Sequence, residues 1–486
     1  MGEFLMSTNC FKLLIVEDEV SISEIIKKAF QNKFTTIEIT VVSNRDDAFI
    51  LLENEDIFYD LVTLDLRIPS SLNSLDHNTL HGQAVLGECR NRIRGTPILL
   101  ITGTSTVHMI SDFLQSSEHI DIWGNGNIEP TIGHIRKEDL DLIFSEVDKI
   151  YNNFSALNDI ELLFLNESNI LIEYERLIKI FAKKHSGRKV IINILTGFSK
   201  AKVYSLEIKD VNENTILKAV AKCGPHYKIH EDSKNYDNAV IRLPPEATPR
   251  KIDIIKFGGG TCSAVFYGLA EGYNHSFFRA SENNLLTLNI NKTLSSLMFN
   301  WHNVCHQKEL MIGDIRRVLL SDVDAKTLIS QHDLFFASAF EDNIVKCNVS
   351  FQHCDLHGEN ILVNLQNNTT LLIDYGDIQE TVRILDPLTL ECSYLFHPNS
   401  QKYNWPTESN INNWDDIEKY TENCPVRSEI LFCRSWIEDL KNNNQELSAC
   451  LYAYALRQLK FEGTNKDRAI SLIHKAVEIY NKPSIS

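Results

Sequence analysis

The chain has eleven cysteines among 486 residues, but no two of them form a CxxC pair, so it carries no zinc-ribbon spacing. It also lacks any apolar run near the ~20 residues needed to cross a bilayer. Its opening stretch, MGEFLMSTNCF, has neither the charged segment nor the long apolar core of a secretory signal. Free thiols in a reducing cytoplasm are therefore expected. Positive charge is in deficit: 48 Lys+Arg against 65 Asp+Glu give a formal net charge of -17. That balance argues against general nucleic-acid binding and against a polybasic membrane anchor. No internal repeat and no low-complexity tract is visible. What is present is ordinary for a globular protein, with 43% hydrophobic and 23% charged residues, and long enough for two or three domains.

Residues 12–151 alternate short apolar strands with amphipathic helices. LLIV (13–16), IEITVV (37–42), LVTLDL (61–66), PILLIT (97–102) and IDIW (120–123) read as strands. SISEIIKKAF, RDDAFILLENE, GQAVLGECRNRI and KEDLDLIFSEVDKIY read as helices. Loops are expected near 69–81 and 124–136, which are rich in Ser, Asn, Gly and Pro. Such alternation predicts a parallel sheet covered on both faces. Strand C-termini in such a sheet share one edge, where ligands bind. Glu17 and Asp18 directly follow the first strand, and Asp65 ends the third. Three carboxylates there make an oxygen-rich cage suited to Mg²⁺. A carboxylate attacks an anionic phosphoryl donor poorly unless a cation offsets the repulsion; with one, Asp65 is a credible phosphoacceptor. Thr102, ending the fourth strand, could bond the new phosphoryl oxygen, and a lysine at the end of the fifth would balance its charge.

IVEDE (15–19), LDLRIP (64–69) and LLITG (99–103) together resemble the receiver domain of two-component response regulators. The resemblance implies a flavodoxin-like, doubly wound α/β fold with strand order 2-1-3-4-5. It also implies Asp65 as phosphoacceptor, Thr102 as switch residue, and a sensor histidine kinase as partner. The family has a lysine shortly after the fifth strand; here the first lysine is Lys137, across an insertion, and it is the candidate.

Residues 155–184 read as two helical stretches, the second with one apolar face that serves for packing or as a dimer seam. From 189 onward VIINILTG, AKVYSLEIKD, TILKAVAKCG and CSAVFYGLA read as strands, and from 285 the chain is mostly helical. A β-rich lobe followed by a helical lobe predicts a bilobal α+β domain.

Phosphoryl transfer from ATP needs one carboxylate to orient the accepting hydroxyl, an asparagine and a second aspartate to hold Mg²⁺, and a lysine on the phosphates. HCDLHGEN supplies Asp355 and Asn360, and LLIDYGD supplies Asp374 nineteen residues after Asp355. Between them ILVNLQNNTTLLI reads as a β-hairpin turning at Gln366-Asn367-Asn368, which would return Asp374 to Asn360 and Asp355. His353 is expected to bond near Asp374, and Asp386 and Glu391 to cap and anchor the following helix.

HCDLHGEN, with His357, and IDYGD resemble the aminoglycoside phosphotransferase and choline kinase branch of the protein-kinase-like fold. The resemblance implies ATP and Mg²⁺ as cofactors, Asp355 as catalytic base, and Asn360 and Asp374 as metal ligands. In the β-lobe, Gly197 and Ser199 could fold over the phosphates, although a full GxGxxG is missing. Lys222 is the candidate phosphate lysine, with Lys218 as its alternative, and Glu231 its candidate partner. Backbone near 267–270 would meet adenine. The tail from 427 to 480 either packs the helical lobe or lines an acceptor cleft.

The expected organisation is a receiver domain (1–151), connecting helices (152–187) and a kinase domain (188–486) whose lobes meet near 270. The expected function is transfer of the ATP γ-phosphate to a hydroxyl of a small molecule or protein, with Asp65 phosphorylation as input. A nucleotide-binding pseudokinase or scaffold is the alternative. No nucleic-acid or membrane partner is expected; a homodimer is permitted by the connecting helix.

Overall fold

Phe11, Leu13 and Ile15 of the first strand bury against one face of a sheet, and Leu14 and Val16 against the other. Period-two alternation with both faces apolar is what a sheet sandwiched between helices requires. The computed structural model describes residues 10–54, 58–103, 115, 117–165, 170–195, 201–397 and 405–482. Strands β1 (Phe11–Val16), β2 (Ile37–Val42), β3 (Leu61–Leu64), β4 (Ile98–Thr102) and β5 (Ile132–Arg136) are all parallel, in the order β2-β1-β3-β4-β5. This is the doubly wound 2-1-3-4-5 arrangement. Helices α1 (Val20–Gln31) and α4 (Leu142–Asn158) cover one face, and α2 (Arg45–Glu53) and α3 (Thr79–Arg92) the other. Asn44 and Asn78 cap α2 and α3 by accepting from Asp47 N and Leu80 N.

The fifth strand is not where sequence periodicity puts it. Residues 132–136 pair with β4, from Ile98↔Ile132 to Thr102↔Arg136. Of the 120–123 stretch, Ile120 pairs antiparallel with Glu129 in a two-residue ribbon, and the rest turns: Asp121 accepts from Asn125 N (3.0 Å) and Gly126 N (2.9 Å), bending the chain. Ile122 and Trp123 still bury, as core residues of a loop.

The 155–184 region also departs from two helices. α4 runs on to Asn158, strand β6 (Glu161–Phe164) follows, and only then α5 (Ile172–Lys184). β6 extends a second sheet made with β7 (Lys189–Leu195), β8 (Lys202–Lys209), β9 (Thr215–Pro225), β10 (Lys251–Ile255) and β11 (Cys262–Gly268), in the order β10-β11-β9-β8-β7-β6. β6 pairs parallel with β7; the other neighbours are antiparallel. α5 lies on this sheet, with Phe181 stacked on Phe266 at 3.8 Å between ring centres.

These parts form one compact unit, residues 1–231 with 251–269. Within it a single apolar cluster runs from β1 through α4 and α5 to β8, β9 and β11. Arg176 of α5 sits inside that cluster at 2% exposure. Its Nε lies 3.3 Å from Asp60 Oδ1, its Nη1 donates to Asn158 Oδ1 (3.2 Å), and its guanidinium covers the Phe154 ring. A second joint is backbone only: Gly95 N donates to Gly260 O and Gly258 N to Gly95 O, each at 2.8 Å. A Cβ at Gly95 would meet Gly260 O at 2.8 Å, so this approach needs glycine.

The other unit is residues 232–250 with 270–486. Helix α6 (His226–Asn238) carries the chain from one unit into the other. Strands β12 (His306–Met311), β13 (Ile344–Gln352) and β16 (Gln379–Val382) form one small sheet; β14 (Ile361–Asn364) and β15 (Thr369–Leu372) form a hairpin beside the short strand His275–Ser276. Helices α7 (Leu385–Phe396), α8 (Arg427–Leu440), α9 (Asn444–Gln458) and α10 (Lys466–Asn481) make the body. All twelve residues of α7 are buried. Among the described residues, no helix is long and apolar enough to cross a membrane.

The buried Arg176–Asp60 pair predicts an asymmetric mutational result. Arg176→Ala should lower stability in urea unfolding by about 3–5 kcal/mol, because it leaves a buried carboxylate without its counter-charge. The double variant Arg176→Met/Asp60→Leu should recover most of that loss. Equal stability of Arg176→Ala and wild type would contradict the buried pair.

Candidate functional site

At the carboxyl edge of the first sheet, β1 delivers Glu17 and Asp18, and β3 delivers Asp65. Oxygen atoms from all three lie within 4.8 Å of one another. Glu17 and Asp65 are each 3% exposed. Lys137 directly follows β5, so the strand correction removes the insertion ahead of it. Its Nζ donates to Glu17 Oε1 (2.9 Å), Glu19 Oε1 (2.7 Å) and Asp65 Oδ2 (2.7 Å). Burial and the neighbouring Asp65 push Glu17 up to about 7, against the pull of Lys137. Burial alone would lower the Lys137 pKa, but its bond to Asp65 and the surrounding carboxylates hold it above the ordinary lysine range. Thr102 ends β4 and is fully buried.

Two oxygens in this cage, Glu17 Oε2 and Asp18 Oδ1, are buried and without a hydrogen-bond partner. A cluster of oxygens with two unpaired, buried members fits a hard divalent cation such as Mg²⁺. Asp18 Oδ2 meets His77 Nε2 at 2.8 Å, so His77 fixes one side of the cage. Sequence reading did not single out His77; it lies in a polar loop with no motif around it.

In the second unit the β14–β15 hairpin forms as expected, with Ile361 opposite Leu372 and the turn at 365–368. It brings the two ends of the motif together: Ile373 N donates to Asn360 O (3.0 Å), and Asn360 Nδ2 to Asp355 O (2.9 Å). His353 Nε2 contacts Ile373 O at 3.0 Å, beside Asp374. Asp386 does more than start a helix. Its carboxylate accepts from His353 N (2.6 Å) and Cys354 N (2.9 Å), and its own N–H donates to Gln352 Oε1 (3.1 Å). Burial raises Asp386 to about 6, against the lowering by His353 and those two N–H donors.

Asp355 is half-buried and meets two side chains, one from the motif itself and one from a distant helix. Arg457 Nη1 on α9 donates to its Oδ1 (3.0 Å), and His357 Nε2 lies 3.6 Å from its Oδ2. Burial and the nearby Asp355 raise Asp377, despite Arg457. Arg457 was invisible in the sequence because it lies 102 residues from Asp355 on a helix of otherwise apolar pattern.

The expected nucleotide contacts divide. Lys222 is half-buried on β9, opposite Val203 of β8 and Val265 of β11; Lys218 is exposed. Glu231 on α6 is exposed, whereas the next residue, Asp232, is 1% exposed and its Oδ2 accepts from Tyr375 N (3.3 Å). The helix thus turns Asp232, not Glu231, toward the Asp374 segment. Gly197 and Ser199 lie outside the described residues.

Residues 13–123 match the sequence model of the response regulator receiver domain. No curated protein sequence matches significantly. The phosphorylated cyanobacterial phytochrome response regulator RcpA is a structural neighbour at 20% identity and a TM-score of 0.21, covering 29% of this chain and 91% of its own. An aminoglycoside-3'-phosphotransferase of type VIII is 12% identical, with a TM-score of 0.31, covering 55% of this chain and 100% of its own. An ethanolamine kinase of Plasmodium vivax is 13% identical, with a TM-score of 0.30, covering 59% and 82%.

Two predictions follow from these geometries. Lys137 occupies the same carboxylate oxygens that a cation would take. Lys137→Ala should therefore destabilise the protein by about 1–3 kcal/mol without metal and gain more from Mg²⁺ in thermal melts than wild type gains; equal Mg²⁺ shifts would count against a shared site. Asp386 loses its proton near 3.8 when unfolded and near 6 when folded. The folded state then holds more protons in that window, so stability falls as pH rises from about 4 to about 6. In Asp386→Asn that slope should be shallower, as read by urea unfolding across the same pH range.

Proposed function

We propose that this protein is a phosphotransferase controlled by its receiver domain, moving the γ-phosphate of ATP to a hydroxyl group. The observation that carries this reading is the convergence of Asp355, Asn360 and the Asp374 segment on one loop, through the Asn360–Asp355 and Ile373–Asn360 hydrogen bonds. Asp355 would accept the proton of the attacking hydroxyl and orient it. Asn360 and Asp374 would hold Mg²⁺, which when bound screens the phosphate charges. Lys222 is the candidate for the ATP phosphates. Asp386 keeps the loop backbone in place by taking two of its N–H groups.

The receiver half supplies the input. Glu17, Asp18 and Asp65 would hold a second Mg²⁺, and Asp65 would take a phosphoryl group from a sensor histidine kinase. Thr102 and Lys137 would bond the new oxygens and replace the Lys137–Asp65 contact seen here. The eleven free thiols fit a reducing, cytoplasmic setting.

Radiolabel transfer from γ-labelled ATP with Mg²⁺ tests the reading. Asp355→Ala should lose at least about 10²–10³ of the wild-type transfer rate. Asp65→Ala should abolish the rate change that acetyl phosphate causes in wild type. ATP binding without turnover in wild type would instead identify a nucleotide-binding regulatory module.

A further inference from the structure

Arg457 is the cation at Asp355, and its setting bears on what the acceptor can be. It is the penultimate residue of α9, a helix whose other positions, apart from its first two, are buried. Its side chain is 19% exposed, enough to meet a ligand. The Phe461 ring sits 5.7 Å from its guanidinium carbon. A guanidinium has five N–H donors, and the structure commits one of them, to Asp355 Oδ1.

That bond also distinguishes the two oxygens of Asp355. Oδ1 is held by Arg457, while Oδ2 makes no hydrogen bond among the described residues and lies 3.6 Å from His357 Nε2. Oδ2 is therefore the oxygen open to a hydroxyl proton. In the transfer step, the acceptor oxygen bonds to the γ-phosphorus, the γ-phosphorus separates from the β–γ bridging oxygen, ADP leaves, and the hydroxyl proton passes to Oδ2. The His357 and His397 rings lie 4.9 Å apart beside that oxygen. Arg457, bonded to Oδ1, is the permanent charge that an incoming acceptor meets beside the base. An ammonium next to the reacting hydroxyl would face a guanidinium; a carboxylate or phosphate there would find a planar fork of free donors.

We propose that Arg457 selects the acceptor: the substrate is a hydroxyl compound bearing a carboxylate or phosphate near the reacting hydroxyl, and amino sugars and amino alcohols are rejected. This inference rests on the phosphotransferase reading above and names its substrate class.

The test uses the full chain with Mg²⁺ and γ-labelled ATP, and three acceptor pools. One holds sugar phosphates and hydroxycarboxylic acids, one uncharged sugars and polyols, and one amino sugars and amino alcohols. Label is expected chiefly in the first pool, and separating its two kinds shows which anion is read. Arg457→Gln should raise the KM for that acceptor about 10- to 100-fold, the cost of one lost charged hydrogen bond. Arg457→Lys should restore part of the loss, which a purely structural role would not predict. Arg457→Glu should move label toward the amino pool. Thermal melts and ATP binding accompany each variant, so a misfolded protein is recognised, and Arg457→Lys then carries the comparison. Label in the amino pool at an equal or higher rate in wild type would overturn the inference. So would an unchanged KM in Arg457→Gln, or label chiefly in the uncharged pool. Failure of wild type to bind ATP, or ATP binding with no label in any pool, would overturn the phosphotransferase reading itself.

Discussion

A guanidinium at 2% exposure needs partners before it can be buried, and Arg176 and its partners come from three parts of the chain. Asp60 comes from the residue before β3, Asn158 and Phe154 come from α4, and Arg176 itself comes from α5. Asp60 uses its second oxygen to accept from Lys12 N (2.8 Å), so the same carboxylate also fixes the start of β1. The receiver sheet, the helix after it and the helix lying on the β-lobe sheet are therefore positioned by one buried pair. The apolar cluster around them is continuous. A buried pair of this kind adds little net stability over an apolar replacement, but it penalises every other arrangement of the same elements. What it contributes is register between the two sheets.

The loop that carries Asp355 in the second unit depends on a similar device. Cys354 and Asp374 both adopt positive φ, at 63° and 68°. Residues other than glycine reach that region at a cost of about 1–3 kcal/mol. Asp386 offsets the first by taking the N–H groups of His353 and Cys354. The second sits between Ile373, whose N–H bonds to Asn360 O, and Tyr375, whose N–H bonds to Asp232 Oδ2. In both places a carboxylate buried from solvent holds a strained backbone so that the neighbouring aspartate keeps its direction.

Much of this was legible in the sequence, and the exceptions share a cause. LLIV, LVTL and ILLIT are strands because continuous apolar runs at that length suit a sheet covered on both faces. Ile132–Arg136 has only two buried apolar residues, with Gly133 and His134 between them, so its strand character comes from pairing with β4 and not from its own pattern. Lys251–Ile255 and Glu161–Phe164 were missed for the same reason, being short edge strands of the second sheet. Among the candidate site residues, Asp355, Asn360 and Asp374 share one short stretch, where spacing carries information. Glu231 and Asp232 are adjacent carboxylates on a helix, about 100° apart in direction. Choosing between them requires knowing which face α6 buries. Arg457 reaches Asp355 from another helix altogether, and no local pattern announces it.

The location of the joints constrains how a phosphoryl group on Asp65 could act. Asp60 precedes β3, Gly95 precedes β4, and Gly124, whose Cβ would meet Ile180 O of α5, precedes β5. All three belong to the amino edge of the receiver sheet, whereas Glu17, Asp18, Asp65 and Lys137 occupy its carboxyl edge. Asp60 and Asp65 bracket the same strand, about 16 Å apart at the rise of a β-strand. Under the proposed function, a change at Asp65 cannot reach the β-lobe by direct contact through these joints. It has to travel along β3 or through α4, which begins five residues after Lys137 and ends at Asn158, the residue that Arg176 holds. α4 is the shorter chain of causes, because breaking the Lys137–Asp65 contact frees the segment that leads into it. A two-state shift of α4 against Arg176 is thus the physical form that receiver control would take in this fold.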